Sequence, residues 1–172
     1  MRTIKLLCLI VAVLSLQSCC FYGGCDDDFI TDPDFQSAYE PVYLDRTVFE
    51  ESVELLAPRD IVNSGKIYVY NKLLLVNEKN EGFHVIDNAN PSNPQPLGFV
   101  AVPGSSDVAI KEDVLYINQA VDLIAITIDI QSQQLTLTKR VQDIFPVLSS
   151  PEGFYPYDVP ENTIVIDWQL IN

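Results

Sequence analysis

Two neighbouring stretches of the chain repeat the same succession of short apolar runs, and this repeat limits the possible folds more than any other feature. Between residues 66 and 145 the 3.6-residue periodicity of a helix is absent, and β-forming residues alternate with turn residues. The runs cover residues 66–70, 73–78, 82–87 and 97–102, then 107–111, 114–118, 122–129 and 135–141. We therefore predict an all-β domain with two antiparallel sheets of about four strands each.

The two units, at about residues 66–102 and 107–145, align when the first is shifted by 41 positions. The matched positions are Ile67 with Val108, Val69 with Ile110, Leu74 with Leu115, Val76 with Ile117 and Asn77 with Asn118. One further position of shift aligns Ile86 and Asp87 with Ile128 and Asp129. Four short strands in about 40 to 45 residues match a β-propeller blade, and a closed ring needs at least about four blades. We expect the exposed faces of two blades to be covered by flanking segments, by the other sheet or by another chain.

Two further elements are predicted within a single β domain over residues 39–172. Thr47-Val48-Phe49-Glu50 has the form of a capping box, which predicts a short helix before the sheets. Near the carboxyl end apolar residues alternate with polar ones, which predicts a closing strand that pairs with a sheet edge or packs across a sheet. The apolar face of that strand carries Ile164, Ile166, Trp168 and Leu170.

Residues 1–18 have the order of a secretory signal peptide, because Arg2 and Lys5 precede an apolar run over residues 6–16. That run is too short for a transmembrane helix, which needs about twenty apolar residues. The tetrad Leu16-Gln17-Ser18-Cys19 resembles the lipobox of bacterial lipoproteins. The resemblance implies cleavage before Cys19 and lipid attachment to its thiol. The alternative is an ordinary secreted protein with a chance cysteine at this position.

Residues 19–38 are predicted to form a lipidated flexible tether, since glycines and three adjacent aspartates disfavour packing. The acidic cluster at residues 26–28 resembles the export tag that sends some Bacteroidetes-type lipoproteins to the outer face of the outer membrane. A plain solvated linker is the alternative. Cys20 and Cys25 lie in this tether, and an oxidising envelope would allow them to pair.

The formal net charge of −14 excludes one class of partner. Loss of Arg2 and Lys5 with the signal peptide would bring it to −16. So acidic a surface repels phosphate backbones and anionic headgroups, which argues against a nucleic-acid partner. Membrane attachment is therefore expected to come from the lipid anchor.

The turn after the third run carries a family resemblance. Residues 82–94 read GFHVIDNANPSNP and resemble the signature of LVIVD-repeat proteins, in which a strand ending in Ile-Asp runs into an Asn/Ser/Pro turn. The second unit keeps the strand but lacks the prolines at residues 129–133. From the lipobox onward, the chain resembles the amino-terminal part of longer LVIVD-repeat lipoproteins of Bacteroidetes type. The resemblance implies an extracytoplasmic, propeller-like protein and no defined activity.

No residue pattern predicts a catalytic site, a metal site or a cofactor. His84 is the only histidine, and a catalytic zinc site needs about three protein ligands, so we interpret it as a half-exposed strand residue. Residues 104–107, Gly-Ser-Ser-Asp, are interpreted as a turn and not as a nucleophile elbow. Residues 87–90 begin like a calcium loop, but Ser92 and Gly98 occupy the positions of its glycine and glutamate. Asp87 is expected to cap the turn instead, and a calcium site of another kind stays open.

Tyr155, Tyr157 and Trp168 form the candidate ligand platform, of the aromatic kind that binds sugars. The alternative is that these side chains pack against the sheets. We predict a non-enzymatic cell-envelope lipoprotein, placed most naturally at the outer membrane, that acts as a binding or scaffold module on a protein partner or on a second copy. A carbohydrate-binding or carbohydrate-processing surface lipoprotein is the alternative, and a shortened relic of a longer propeller protein is a third interpretation.

Overall fold

The computed structural model describes residues 37–171. The predicted signal peptide, Cys19, the pair Cys20 and Cys25, and nearly all of the tether lie outside the described residues. Ser37–Asn172 forms a compact unit, and all that follows concerns this unit. Within its described residues, no helix has both the length and the apolar character needed to cross a membrane.

The unit consists of antiparallel strands and one short helix. In chain order the elements are β1 (Tyr39–Asp45), α1 (Arg46–Glu51), β2 (Glu54–Leu56), β3 (Ser64–Tyr70), β4 (Leu73–Glu78), β5 (Gly82–Asp87), β6 (Gln95–Ala101), β7 (Val108–Lys111), β8 (Val114–Gln119), β9 (Asp122–Asp129), β10 (Gln134–Val141) and β11 (Thr163–Leu170). Sheet 1 has the order β2-β6-β5-β4-β3, sheet 2 has the order β10-β9-β8-β7, and β1 pairs with β11. The predicted fold class is confirmed, with β2 added at the edge of sheet 1.

The predicted 41-residue repeat coincides with the cross-strand pairing of the first two strands of each unit. The equivalent pairs are Ile67–Val76 with Val108–Ile117, and Val69–Leu74 with Ile110–Leu115. The first two strands of both four-strand meanders are therefore paired in the same register.

The alignment predicted for Ile86 is wrong. Leu74 pairs with Ile86, whereas its equivalent Leu115 pairs with Ile126, so the shift in the third strand is 40. The β4–β5 turn is one residue longer than the β8–β9 turn, which lowers the shift by one. β9 is two residues longer than β5, so the terminal aspartates Asp87 and Asp129 are 42 positions apart, although the strands begin 40 positions apart.

Each repeat sheet has two faces, because successive side chains of a strand point to opposite sides. Face A of sheet 1 carries Tyr68, Leu75, Phe83, Val85 and Val100. Face B of sheet 1 carries Ile67, Val69, Leu74, Val76 and Ile86. By the repeat, face A of sheet 2 carries Ala109, Tyr116, Leu123, Ala125 and Val141, and its face B carries Val108, Ile110, Leu115, Ile117 and Ile126.

The core lies between face A of sheet 1 and face B of sheet 2. Its buried members are Leu75, Phe83, Val85, Val100 and Val102 on one side and Val108, Leu115, Ile117, Ile124 and Ile126 on the other. Two different faces meet at this interface, so the units stack head to tail. The stack leaves face B of sheet 1 at one end and face A of sheet 2 at the other.

Helix α1 begins earlier than the capping box predicts. Asp45 is its N-cap, and the Asp45 Oδ1 accepts hydrogen bonds from the backbone amides of Thr47 (2.8 Å) and Val48 (3.4 Å). A carboxylate caps a helix N-terminus as well as a hydroxyl does. Asp45 therefore takes the N-cap position, and Thr47 lies in the first turn of the helix. The helix buries Phe49 completely.

The closing strand β11 forms as predicted, but its pairing and its buried face differ from the prediction. It pairs with β1 and not with an edge of either repeat sheet. Its most buried residue is Val165, and an irregularity in the β1–β11 register places Val165 on the same face as Trp168, which strict alternation does not predict. Contacts cover both faces, because Asp167 accepts a hydrogen bond from Asn80 Nδ2 (2.6 Å) and Trp168 donates one from the other side.

Candidate binding surface

Face A of sheet 2 is open, although the equivalent face of sheet 1 forms half of the core. Tyr116 and Val141 are 38% and 39% exposed, and Leu123 and Ala125 are half-buried. Their equivalents in sheet 1, Leu75, Val100, Phe83 and Val85, are all at most 2% exposed. The chain thus presents to its surroundings an apolar sheet face of the kind that it buries elsewhere.

Two grooves lie on this face, on either side of Tyr116 and Leu123. The larger has a volume of about 760 Å³ and runs between the face and residues 145–148 of the loop after β10. The smaller has a volume of about 330 Å³ and runs toward Thr138, Lys139 and Val141 of β10. Among the described residues that line them, only Asp107 in the larger groove and Lys139 in the smaller are charged.

The β7–β8 hairpin holds Ala109 opposite Tyr116 on this face. Its two turn residues, Glu112 and Asp113, both have positive φ angles of 49° and 65°, which a tight two-residue hairpin requires. At the other end of β7, Asn118 Oδ1 accepts hydrogen bonds from the amides of Ser106 (3.1 Å) and Asp107 (2.8 Å). The hairpin is therefore fixed at both ends.

Asp107 joins the edge of this surface to sheet 1. It forms an ion pair with Lys66 and accepts a hydrogen bond from the Tyr68 hydroxyl at 2.6 Å. Hydrogen bonds from Lys66 and Tyr68 hold the pKa of the Asp107 carboxyl below its ordinary value. Burial, together with the bond to Asp107, raises the pKa of Tyr68 to about 12. Asp107 is thus ionised and already paired with Lys66 and Tyr68, so it links sheet 2 to sheet 1.

His84 is buried, so the interpretation as a half-exposed residue is wrong. It is 3% exposed, packs on the Phe99 ring with 4.9 Å between ring centroids, and places Nε2 2.9 Å from Glu78 Oε2. The neighbouring Phe83 and Val85 are buried on the opposite face, because sheet 1 is covered on both sides. Alternation along β5 gave no sign of this second cover.

Glu78 is the partner of His84 and is itself fully buried. Burial alone would raise the pKa of Glu78, but hydrogen bonds from His84 and from the amides of Asn63 and Val62 outweigh it and lower the pKa. A carboxylate only accepts hydrogen bonds, so His84 Nε2 is the donor. This pair stabilises the segment before β3 against face B of sheet 1.

A second buried carboxylate, Asp122, attaches helix α1 to sheet 2. Arg46 donates to both of its oxygens, at 3.1 and 2.9 Å, and Arg140 donates at 2.7 Å. The two guanidinium groups flank the buried Phe49 ring, at 5.6 and 5.4 Å from its centroid. Sequence reasoning missed this cluster, because nothing in the spacing of residues 46, 122 and 140 indicates that they meet.

The candidate ligand platform does not form one surface. Tyr155 and Tyr157, in the loop between β10 and β11, are 65% and 92% exposed. Trp168 is half-buried, and its Nε1 donates a hydrogen bond to the Leu148 carbonyl at 3.1 Å. Among residues 37–171, no ring contact joins these three aromatic side chains.

The other candidate positions have structural partners. Asp87 Oδ1 accepts from the Ala89 amide (2.8 Å), which confirms the predicted turn cap, and Asp129 does the same with Gln131 (2.9 Å). Residues 104–107 connect β6 to β7, and Ser105 is fully buried. In the described part of the chain, no group of three His, Cys, Asp or Glu side chains is suited to a metal ion.

Sequence reasoning also missed the open face, although a signal for it exists. β8 carries apolar residues on both of its faces, with Leu115 and Ile117 on one side and Val114 and Tyr116 on the other. Strands that are covered on both sides have this continuous apolar pattern. No protein-family model, no curated protein and no solved structure matches this chain.

Proposed function

We propose that this chain is a non-enzymatic binding module of a bacterial cell envelope, which binds a protein through face A of sheet 2. The observation that carries the proposal is the exposure of Tyr116 and Val141, whose equivalents Leu75 and Val100 are core residues. A contiguous apolar surface that stays open marks an interaction site in soluble domains.

The charge of the surface supports a protein as the ligand. The chain has a formal net charge of −14, yet only Asp107 and Lys139 among the groove residues are charged. Asp107 is already neutralised by Lys66. Protein interfaces have cores depleted of charge and enriched in aromatic residues, and this face offers Tyr116 and the adjacent Phe145.

The proposed location is the outer membrane of the envelope, with lipid on Cys19 as the anchor. The lipobox-like tetrad and the apolar run before it support this part of the proposal. So does the resemblance of residues 82–94 to LVIVD-repeat lipoproteins. A Cys19→Ala variant should lose incorporation of labelled fatty acid and membrane retention, and continued membrane attachment would overturn the anchor.

A photo-crosslinking residue at position 116 tests the binding surface in native membranes. A discrete protein adduct is expected from position 116, because this position lies at the centre of the open face. The matched control is position 48 on α1, where Val48 is 53% exposed and does not line either groove. Absence of an adduct at position 116, or equal adducts at both positions, would overturn the proposed surface.

Carbohydrate binding is the second candidate, because Tyr155 and Tyr157 are exposed within one loop. Exposed aromatic rings of this kind can stack on sugar rings. A glycan array with wild-type protein and with the Tyr155→Ala/Tyr157→Ala double variant separates the two functions. Glycan binding that the double variant loses would favour the carbohydrate function, and absence of binding by wild-type protein would remove it.

A further inference from the structure

The interface between the two repeat sheets shows which kind of surface the open face fits. Face A of sheet 1 packs on the aliphatic face B of sheet 2, where Leu115, Ile117 and Ile126 are buried. Face A of sheet 2 is the equivalent of the first of these surfaces. The complementary surface is therefore another face B.

The chain itself presents a second face B, at the opposite end of the stack. On face B of sheet 1, Ile67 is 64% exposed and Val69 is 72% exposed, and Leu74 and Ile86 are half-buried. The equivalents of Ile67 and Val69 in sheet 2 are Val108, which is 6% exposed, and the half-buried Ile110. The exposed positions of one sheet are thus the covered positions of the other.

Only part of this second face is open. The segment between β2 and β3 covers the part around Phe99, where the Arg59 guanidinium lies 3.8 Å from the ring centroid. The same segment donates the Val62 amide to Glu78 at 3.1 Å. The open part is accordingly the side nearest the edge strand β3.

The first strands of the two repeat units, β3 and β7, show how polar contacts hold a neighbouring sheet at that edge. Lys66 and Tyr68 of β3 bond to Asp107, and Tyr70 bonds to Asp113 in the β7–β8 turn. In the stack of sheets, these polar contacts lie beside the apolar interface. On the outer side of β7, where a further sheet would lie, the equivalents of Tyr68 and Tyr70 are Ala109 and Lys111.

We propose that the ligand of face A of sheet 2 is face B of sheet 1 of a second copy of this chain, an inference that rests on the proposed function. A head-to-tail contact of this kind either closes into a ring or continues as a filament. Two copies related by a two-fold axis bring four sheets together, and about four blades suffice to close a propeller. The partly covered face B confines the contact to the β3 side.

The test is sedimentation equilibrium of the full chain in density-matched mild detergent, over a wide range of protein concentration. Wild-type protein should form a dimer. Tyr116→Glu and Val69→Glu, on the two opposite faces, should each weaken dimerisation at least about tenfold in Kd, which corresponds to about 1.4 kcal/mol. An equimolar mixture of the two variants should regain association, because one intact face A then meets one intact face B. Val48→Glu on α1 is the matched control and should dimerise like wild type.

Three results would overturn the inference. One is a wild-type chain that stays monomeric at every concentration. Another is a Val69→Glu variant that dimerises normally, as it would if two copies of face A met. The third is a mixture of the two variants that stays monomeric while both retain the circular dichroism of wild type.

The crosslink at position 116 gives a second measurement that does not depend on destabilising variants. An adduct of twice the chain mass, mapped to Ser64–Tyr70, supports the second copy. An adduct with a different protein overturns the second copy and leaves the proposed binding surface standing. No adduct overturns both.

Discussion

Glu78 Oε2 lies 2.9 Å from His84 Nε2, with both side chains buried on face B of sheet 1. The pKa of Glu78 lies below its ordinary value of 4.5 in the folded chain. Its contribution to stability is therefore present at neutral pH and is lost as the pH falls through the folded-state pKa. Glu78→Gln should lower the free energy of unfolding at pH 7 by about 3 kcal/mol, because a buried pair is broken.

Urea denaturation of the full chain at a series of pH values from neutral downward checks this prediction. The difference between wild type and Glu78→Gln should shrink as the pH falls through the lowered folded-state pKa of Glu78, because wild type then loses the same contribution. Glu81→Gln is the control, since Glu81 is exposed and its ion pair with Arg59 should contribute no more than about 1 kcal/mol. An equal effect of the two substitutions would contradict the prediction.

Asp122 should contribute as much to the free energy of unfolding as Glu78, because it attaches α1 to sheet 2. Asp122→Asn removes the buried carboxylate that joins the Arg46 and Arg140 guanidinium groups, and it should cost about 3 kcal/mol in thermal or chemical unfolding. Asp143→Asn is the matched control, because Asp143 is 77% exposed and lies 3.9 Å from Arg46. A loss of less than about 1 kcal/mol from Asp122→Asn would contradict a stabilising role.

Gly82 is the first residue of β5, and the two units differ here, because the equivalent first residue of β9 in sheet 2 is Asp122. Its φ angle is 147°, and a Cβ atom there would lie 2.0 Å from the Val100 carbonyl oxygen. Gly82→Ala should therefore destabilise the fold by at least about 2 kcal/mol. Gly153→Ala is the control, because its φ angle is also positive but nothing lies within 4 Å of the new Cβ, and it should cost about 1 kcal/mol. Equal melting temperatures of the two variants would be inconsistent with this account.

The three candidate platform residues should separate in their effect on stability. Trp168→Ala removes a half-buried ring and the hydrogen bond to the Leu148 carbonyl, and it should lower the free energy of unfolding by about 2 kcal/mol. Tyr157→Ala should change it by no more than about 0.5 kcal/mol, because the side chain is 92% exposed. Chemical denaturation measures both, and a stable Trp168→Ala variant would return Trp168 to the candidate platform.

Features fixed by neighbours in the sequence were predictable. The strands of both units follow from alternation and turn residues, and Asp87 caps its turn through a backbone amide only two residues away. The N-cap of α1 was misplaced by two residues, because Asp45 and Thr47 both qualify and local pattern does not choose between them.

Features that join distant segments were not predictable. Asp122 meets Arg46 across 76 positions, and β11 pairs with β1 across more than a hundred. Pro41 interrupts the apolar alternation of β1, so the partner of β11 was not recognised as a strand. The burial of His84 depends on a covering segment that has no strand pattern of its own.

The sequence by itself determined the two four-strand units and the equivalence of their positions, because strand alternation and turn chemistry act over a few residues. It also required that β8 be apolar on both faces. Only the tertiary structure decided which faces are covered. The free energy of burial depends on what packs across the sheet, so equivalent residues such as Leu75 and Tyr116 end up respectively in the core and on the open face.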